Sequence, residues 1–229
     1  RTSGIIPKAN WLQVEFWKNY PVYPLVIVNT QEELAIASKV VTRLSAKHPD
    51  KEYNICINSD IELNDIYFNP VMEELDCELD GRGHTITFNS SCYEPLIGTI
   101  KSNGVIKNVK FTGNVIKPDT YEGNKDAAML TYNNQGTIEY VDFVNINVIS
   151  YLRGMGMAAV VATELNGGTI RHCKMQNLKV SGSDDYTGVV VAKVNSGIIF
   201  KNNMTGLSAE GGNYIGLLAG GAYGGEISA

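Results

Sequence analysis

The residues whose types and placement suit chemistry are four loop tyrosines, Tyr121, Tyr151, Tyr186 and Tyr214. Acids accompany them: Asp119, Glu122, Asp126, Asp184, Asp185 and Glu210. If these loops stack on one another, rings and carboxylates recur along a single edge. Such an edge offers aromatic surface to the sugars of an extended glycan, or oxygen ligands to a calcium ion. The competing reading is a solvated edge on which tyrosines cover bends, with Asp184 and Asp185 forming a Ser-Gly-Ser-Asp-Asp turn.

Other chemistries find less support. Polysaccharide cleavage needs two carboxylates facing one glycosidic bond, or an acid beside a base such as Lys174 or Arg171. The candidate acids are Glu73-Glu74, Asp76-Glu78-Asp80 and Asp184-Asp185. His48, His84 and His172 are scattered and no His-Glu-x-x-His occurs, so no catalytic metal site is indicated. His84 is expected to make a hydrogen bond at a corner. His172 and Cys173 are neighbours on an expected strand, so their side chains point to opposite faces and form no catalytic pair. There is no P-loop, no Gly-x-Ser-x-Gly and no Cys-x-x-Cys. Among Cys56, Cys77, Cys92 and Cys173 no spacing supports a disulfide. Cys173 is expected as a buried thiol and Cys92 as a loop residue.

These loops hang on a repeat. Gly136-Thr137-Ile138-Glu139-Tyr140-Val141-Asp142-Phe143 returns as Gly168-Thr169-Ile170-Arg171-His172-Cys173-Lys174-Met175. Looser copies start at Gly104 and Gly197, and a short one at Gly225, so the anchoring glycines are 32, 32, 29 and 28 residues apart. A period in this range marks stacked supersecondary units that cannot bury their apolar faces alone. Ile106, Ile138, Ile170 and Ile199 share one column. Three residues on stand Val109, Val141, Cys173 and Asn202; five on stand Phe111, Phe143, Met175 and Met204. Apolar and charged residues alternate in short runs, which is the strand period. Two three-residue steps interrupt it, one after the isoleucine and one after the Phe/Met column, and each predicts a bend. A further apolar run precedes each glycine: Ala128–Leu130, Ala158–Ala162, Gly188–Ala192 and Gly216–Gly220. Short strands joined by bends, with like residues in register, predict a mainly β, right-handed parallel β-helix whose coils stack at ~4.8 Å.

The chain divides into an N-terminal strap and capping helix over 1–50 and β-helix repeats over 51–229. The strap carries Trp11, Phe16, Trp17, Tyr20 and Tyr23, and Leu25–Val28 reads as a strand. Thr30-Gln31-Glu32-Glu33 is a capping box ahead of an apolar stripe at Leu34, Ala37, Val41 and Leu44. This amphipathic helix is expected to cover the first coil and block edge pairing. Tyr53–Ile57, Asp60–Leu63 and the alternating Leu75–Leu79 read as strands, with a tight corner at Asp80-Gly81-Arg82-Gly83.

Net charge is −5 across 229 residues, with no basic stripe, which argues against nucleic acid as a partner. No apolar stretch reaches the ~20 residues of a membrane-crossing helix. The sequence opens at Arg1 without a signal-peptide pattern, as expected of a processed secreted protein or a trimmed chain, and stops inside a repeat, as expected of a fragment of a longer chain or of an end completed by another segment.

The opening helix, the segment Leu79-Asp80-Gly81-Arg82-Gly83-His84-Thr85-Ile86, the unit Gly104-Val105-Ile106-Lys107-Asn108 and Ile215-Gly216-Leu217-Leu218-Ala219-Gly220 resemble bacterial secreted or surface β-helix proteins with GLUG-type repeats. The resemblance spans about residues 25–229, and the pattern weakens at Ala158-Ala159 and Gly188-Val189. It implies a secreted or cell-surface module for adhesion or glycan binding, with a glycan or host surface protein as partner. The alternatives are a polysaccharide lyase or glycoside hydrolase, and a structural N-terminal region of a larger surface enzyme such as a metallopeptidase.

Overall fold

Each copy of the glycine-led repeat forms one coil of a parallel stack. A computed structural model describes residues 13–15 and 25–228, apart from 153, 155, 183 and 184. The aromatic strap lies outside the described residues, except for a strand, Gln13–Glu15, that pairs antiparallel with Leu25–Val28.

The coils present four walls. Wall 1 holds Leu25–Val28, Asn54–Ile57, Glu78–Asp80, Val105–Lys107, Thr137–Glu139, the ends of Ala162–Arg171 and Val191–Phe200, and Glu226–Ser228. Wall 2 holds Ile61–Leu63, Thr85–Phe88, Lys110–Lys117, Asp142–Ser150, Lys174–Ser181 and Asn203–Glu210. Wall 3 is short: Ala127–Ala128, Met157–Ala159, Tyr186–Gly188 and Tyr214–Gly216. Wall 4 holds Met72–Leu75, Ile97–Ile100, Thr131–Asn134, the starts of Ala162–Arg171 and Val191–Phe200, and Ala219–Ala222. Walls 1 and 4 merge into one sheet because two ten-residue strands run through both. Successive coils pair in parallel on every wall. The chain is thus a mainly β protein, a β-solenoid of about seven turns.

The columns read from the sequence stack as expected. Ile138 pairs with Ile106 on one side and Ile170 on the other, and all three are fully buried. The Phe111 and Phe143 rings stack at 5.4 Å. Asn202, in the valine column, satisfies itself by accepting from the Cys173 N–H at 2.9 Å and donating to Ile170 O at 3.1 Å. Both three-residue steps are bends built on left-handed backbone. Asn108, Tyr140, His172 and Lys201 (φ 51–54°) turn the chain from wall 1 to wall 2. Gly113, Asn145, Asn177 and Gly206 make the second bend, within wall 2. In the earliest of these copies the register shifts between Phe111 and Gly113, which brings Val115 rather than Ile116 opposite Val148.

The anchoring glycines are a steric requirement. A Cβ on Gly136 would lie 2.2 Å from Gly104 O and 2.4 Å from Lys101 O; one on Gly197 would lie 2.3 Å from Gly168 O. Each coil settles onto the backbone carbonyl of the coil before it, and only a residue without a side chain fits. Asparagine ladders brace the outside: Asn195 donates to Asn166 at 2.9 Å and Asn166 to Asn133 at 2.8 Å.

The helix spans Gln31–Lys47, with Thr30 Oγ1 accepting from the Glu33 N–H. Glu33 reaches one residue beyond the expected partner, to the Asn29 N–H at 2.6 Å. Leu34, Ala37 and Val41 are buried beside Leu25–Val28, Asn54–Ile57, Ile61–Leu63 and Met72–Leu75.

Four local expectations change. Leu75–Leu79 is not one strand: Met72–Leu75 ends coil one on wall 4 and Glu78–Asp80 opens the next on wall 1, so the alternation crosses a corner. His172 sits on a left-handed bend rather than on a strand; it is exposed while Cys173 is buried. The apolar runs before each glycine are not single strands. In Ala158–Ala162 the chain bends at Val160-Val161 between wall 3 and wall 4, and every residue is buried. Cys92 is fully buried, donating to Leu63 O at 3.2 Å. All four cysteines are free thiols, and burial pushes Cys173 up to about 12.

Gly136→Ala is expected to lower stability by about 1–3 kcal/mol, because backbone rather than a flexible side chain blocks the added methyl. Urea unfolding checks this: the midpoint falls with the slope unchanged.

Candidate functional site: the tyrosine edge

The four sequence-predicted tyrosines divide between three environments. Tyr186 and Tyr214 pair in register on wall 3, and their rings stack at 4.7 Å and 13°. Tyr151 follows Asp142–Ser150, is 60% exposed, and donates its N–H to Lys117 O; it stands outside the stack. Tyr121 is buried, with its ring against Tyr93 and Phe68. Loop length explains the split. Met157, not a tyrosine, is the register partner of Tyr186 in the coil before. Asp185 is half-buried beside the stack, and its carbonyl accepts from the Tyr214 N–H at 3.0 Å. Asp184 lies outside the described residues.

A fifth tyrosine joins this pair as the third ring of the cluster. Tyr223, 64% exposed, meets Tyr186 edge-on at 6.1 Å and 75°, and the two hydroxyls are hydrogen-bonded. That bond pushes Tyr186 up to about 12. The Tyr186 ring lies across Gly221, where a Cβ would come within 2.6 Å of Cε1. Lys193 Nζ stands 5.8 Å from the Tyr186 ring centre and 5.4 Å from that of Tyr223. Its carboxylate partner is Glu164, at 3.9 Å, which also accepts from Asn166. Sequence reasoning missed Tyr223, Lys193 and Glu164. The signal for Tyr223 was the run Gly-Gly-Ala-Tyr-Gly-Gly, whose small residues leave a ring uncovered.

Asp126 links this edge to the chain's interior. Its carboxylate accepts from the Met157 N–H at 2.9 Å. Burial raises its pKa, the Met157 bond and Lys117 oppose that rise, and the charges of Glu164 and Asp185 add to it. Behind it is a buried polar cluster that no spacing along the chain signals. Lys117 and Glu94 are 0% and 1% exposed and lie 2.9 Å apart. Lys117 also donates to Asn124 O at 2.7 Å and Tyr132 Oη at 2.9 Å, while Tyr121 and Tyr132 each donate to Glu94. Burial lowers the Lys117 pKa, and Glu94 opposes that; both phenols are pushed up, by burial first and Glu94 second. With all three ammonium protons and both carboxylate oxygens engaged, this pair tethers the loops of successive coils beneath the edge.

The other polar columns are structural. Lys107 pairs with Glu78 at 2.7 Å and Arg171 with Glu139 at 2.6 Å. Lys110, Asp142 and Lys174 stand in register as expected, without an ion pair among the described residues. His84 Nδ1 lies 3.3 Å from Asp60 Oδ1, the corner hydrogen bond read from the sequence. Among the described residues no group of three or more His, Cys, Asp or Glu side chains is arranged to hold a metal ion. No described helix is long and apolar enough to cross a membrane.

The fold and the edge together define a parallel β-solenoid carrying an exposed aromatic cluster. No family model, curated protein or solved structure matches the chain.

Lys117→Met is expected to cost about 3–5 kcal/mol by leaving Glu94 charged and unpaired in the interior. Adding Glu94→Gln should recover part of that loss, read from urea unfolding of both variants. Asp126 has a folded pKa above its ordinary 3.8, so its stabilising contribution is full below that value and is lost as pH rises through the folded pKa. Asp126→Asn should flatten this acid arm of the stability–pH curve, measured by thermal melting across the acid range.

Proposed function

We propose that this solenoid is a non-catalytic module, secreted or displayed at a cell surface, that binds glycans in adhesion. The observation that carries the reading is the Tyr186–Tyr214–Tyr223 cluster. It exposes the Tyr214 and Tyr223 rings against a half-buried Tyr186, on a backbone fixed by parallel pairing, so little side-chain freedom is lost on binding. Tyr223 stands across the stack and presents a face to a sugar ring, while Lys193, Glu164 and Asn195 supply hydrogen-bonding groups beside it. The resemblance to bacterial GLUG-type surface proteins points the same way, on the motifs quoted above. In this reading the N-terminal helix covers the first coil and keeps its strands from pairing with other chains.

A second reading, a polysaccharide lyase or hydrolase, is favoured by one feature. Asp126 has its pKa raised by burial and stands near the charges of Glu164 and Asp185, an arrangement suited to a proton donor beside a carboxylate.

A glycan array probed with the purified chain tests both. Binding is expected for a subset of glycans, and Tyr214→Ala with Tyr223→Ala should weaken it about tenfold or more, ~1.4 kcal/mol, with melting unchanged. Release of reducing ends or unsaturated products, abolished by Asp126→Asn, would favour the enzyme instead.

A further inference from the structure

The two bends are not built alike. The second uses Gly113, Asn145, Asn177 and Gly206, the residue types that enter left-handed backbone at least cost. The bend between walls 1 and 2 has Arg82 (φ 50°) and Asn108 (φ 53°) in the earlier coils and continues with Tyr140 (φ 53°), His172 (φ 54°) and Lys201 (φ 51°). Bulky side chains in this region are disfavoured, and burial does not compensate here: Tyr140 is 55% exposed, and His172 and Lys201 are exposed.

Those side chains form an ordered strip. The Tyr140 and His172 rings are parallel to within 6° at 5.2 Å, a separation at which they overlap like tiles and leave part of each face open. Phe200 turns across the end of the strip at 64° to His172, and Lys201 Nζ stands 5.9 Å above its ring. Beside it are Lys174, two residues beyond His172, and Arg171, two-fifths exposed and paired with Glu139. Neither Lys174 nor Lys201 pairs with a carboxylate among the described residues. Glu139 and Asp142 thus face Arg171, Lys174 and Lys201: two negative charges against three positive, in a chain of net charge −5.

We infer that this corner is a second binding site, separate from the tyrosine edge, for an acidic polysaccharide laid along the solenoid axis. The rings receive the C–H faces of successive sugars, and Lys174 and Lys201 receive their carboxylates or sulfates. Rings fill this position in two successive coils and Phe200 stands beside it in the next, which suits a polymer with a regular repeat. Tyr140, His172 and Lys201 take this costly backbone in consecutive coils, where they are exposed together, and a glycan supplies both chemistries the strip presents.

Native electrophoresis through gels cast with polygalacturonate, dextran or polyuridylate tests the inference. Polygalacturonate should retard the protein, while dextran and polyuridylate should not. Tyr140→Asn with His172→Asn should lower the apparent affinity for polygalacturonate at least tenfold, with melting temperature unchanged or raised, since asparagine suits the backbone. Lys174→Gln with Lys201→Gln should also weaken retardation and reduce its dependence on salt. Tyr214→Ala with Tyr223→Ala should leave it intact, which separates this site from the tyrosine edge. The inference is overturned by no retardation in polygalacturonate, by equal retardation in dextran or polyuridylate, by unaltered binding of the Asn variant, or by a marked fall in its melting temperature.

Discussion

Everything in this molecule hangs on parallel pairing between equivalent residues one coil apart. The pairing lets like side chains stack, so an isoleucine covers an isoleucine and an asparagine side chain bonds to the asparagine above it. Such registration requires backbones to approach closely at one point of every coil, and the column of anchoring glycines permits it. A Cβ there would push on a carbonyl that is itself held in the sheet, so the obstruction could not relax locally. The interior gains its stability only cooperatively, since each coil's apolar residues are covered by its neighbours.

The same registration decides how the surface can work. Side chains at the bends and along wall 3 recur with the coils, so a favourable surface feature becomes a strip rather than a point. The tyrosine edge and the corner strip are both products of this, and they differ in charge. Asp126, Glu164 and Asp185 accompany the first; Lys174 and Lys201 accompany the second. Beneath the tyrosine edge the Glu94–Lys117 pair fixes loops that the strand ladders do not reach. A buried ion pair of this kind adds little net stability over apolar packing, but it penalises every arrangement in which its partners separate.

Much of the fold was legible because the repeat writes one structural decision several times. The Ile106–Ile138–Ile170–Ile199 column, the bends at both three-residue steps, the buried Cys173 and the helix behind Thr30 follow from spacing and residue type. Errors came where alternation ran through a corner. Leu75–Leu79 alternates as a strand does, yet a bend at Asp76-Cys77 also turns apolar side chains inward on both flanks. The run Ala158–Ala162 misleads in the same way, since at a tight bend between two walls every small side chain faces the core.

The tyrosines mark the boundary between what pattern and packing each settle. Within a strand, position fixes direction, so columns could be read along the chain. Loop residues have no such rule, and the loops differ in length, as the glycine spacings of 32, 29 and 28 already imply. The sequence by itself therefore determined the solenoid, its bends and the chemistry of its edges. Tertiary structure decided that Tyr121 turns inward onto Glu94, that Tyr223 joins Tyr186, and that Lys117 is buried. Each of those outcomes joins non-equivalent positions of different coils, where side-chain volume and charge must be satisfied in three dimensions and no period along the chain records the match.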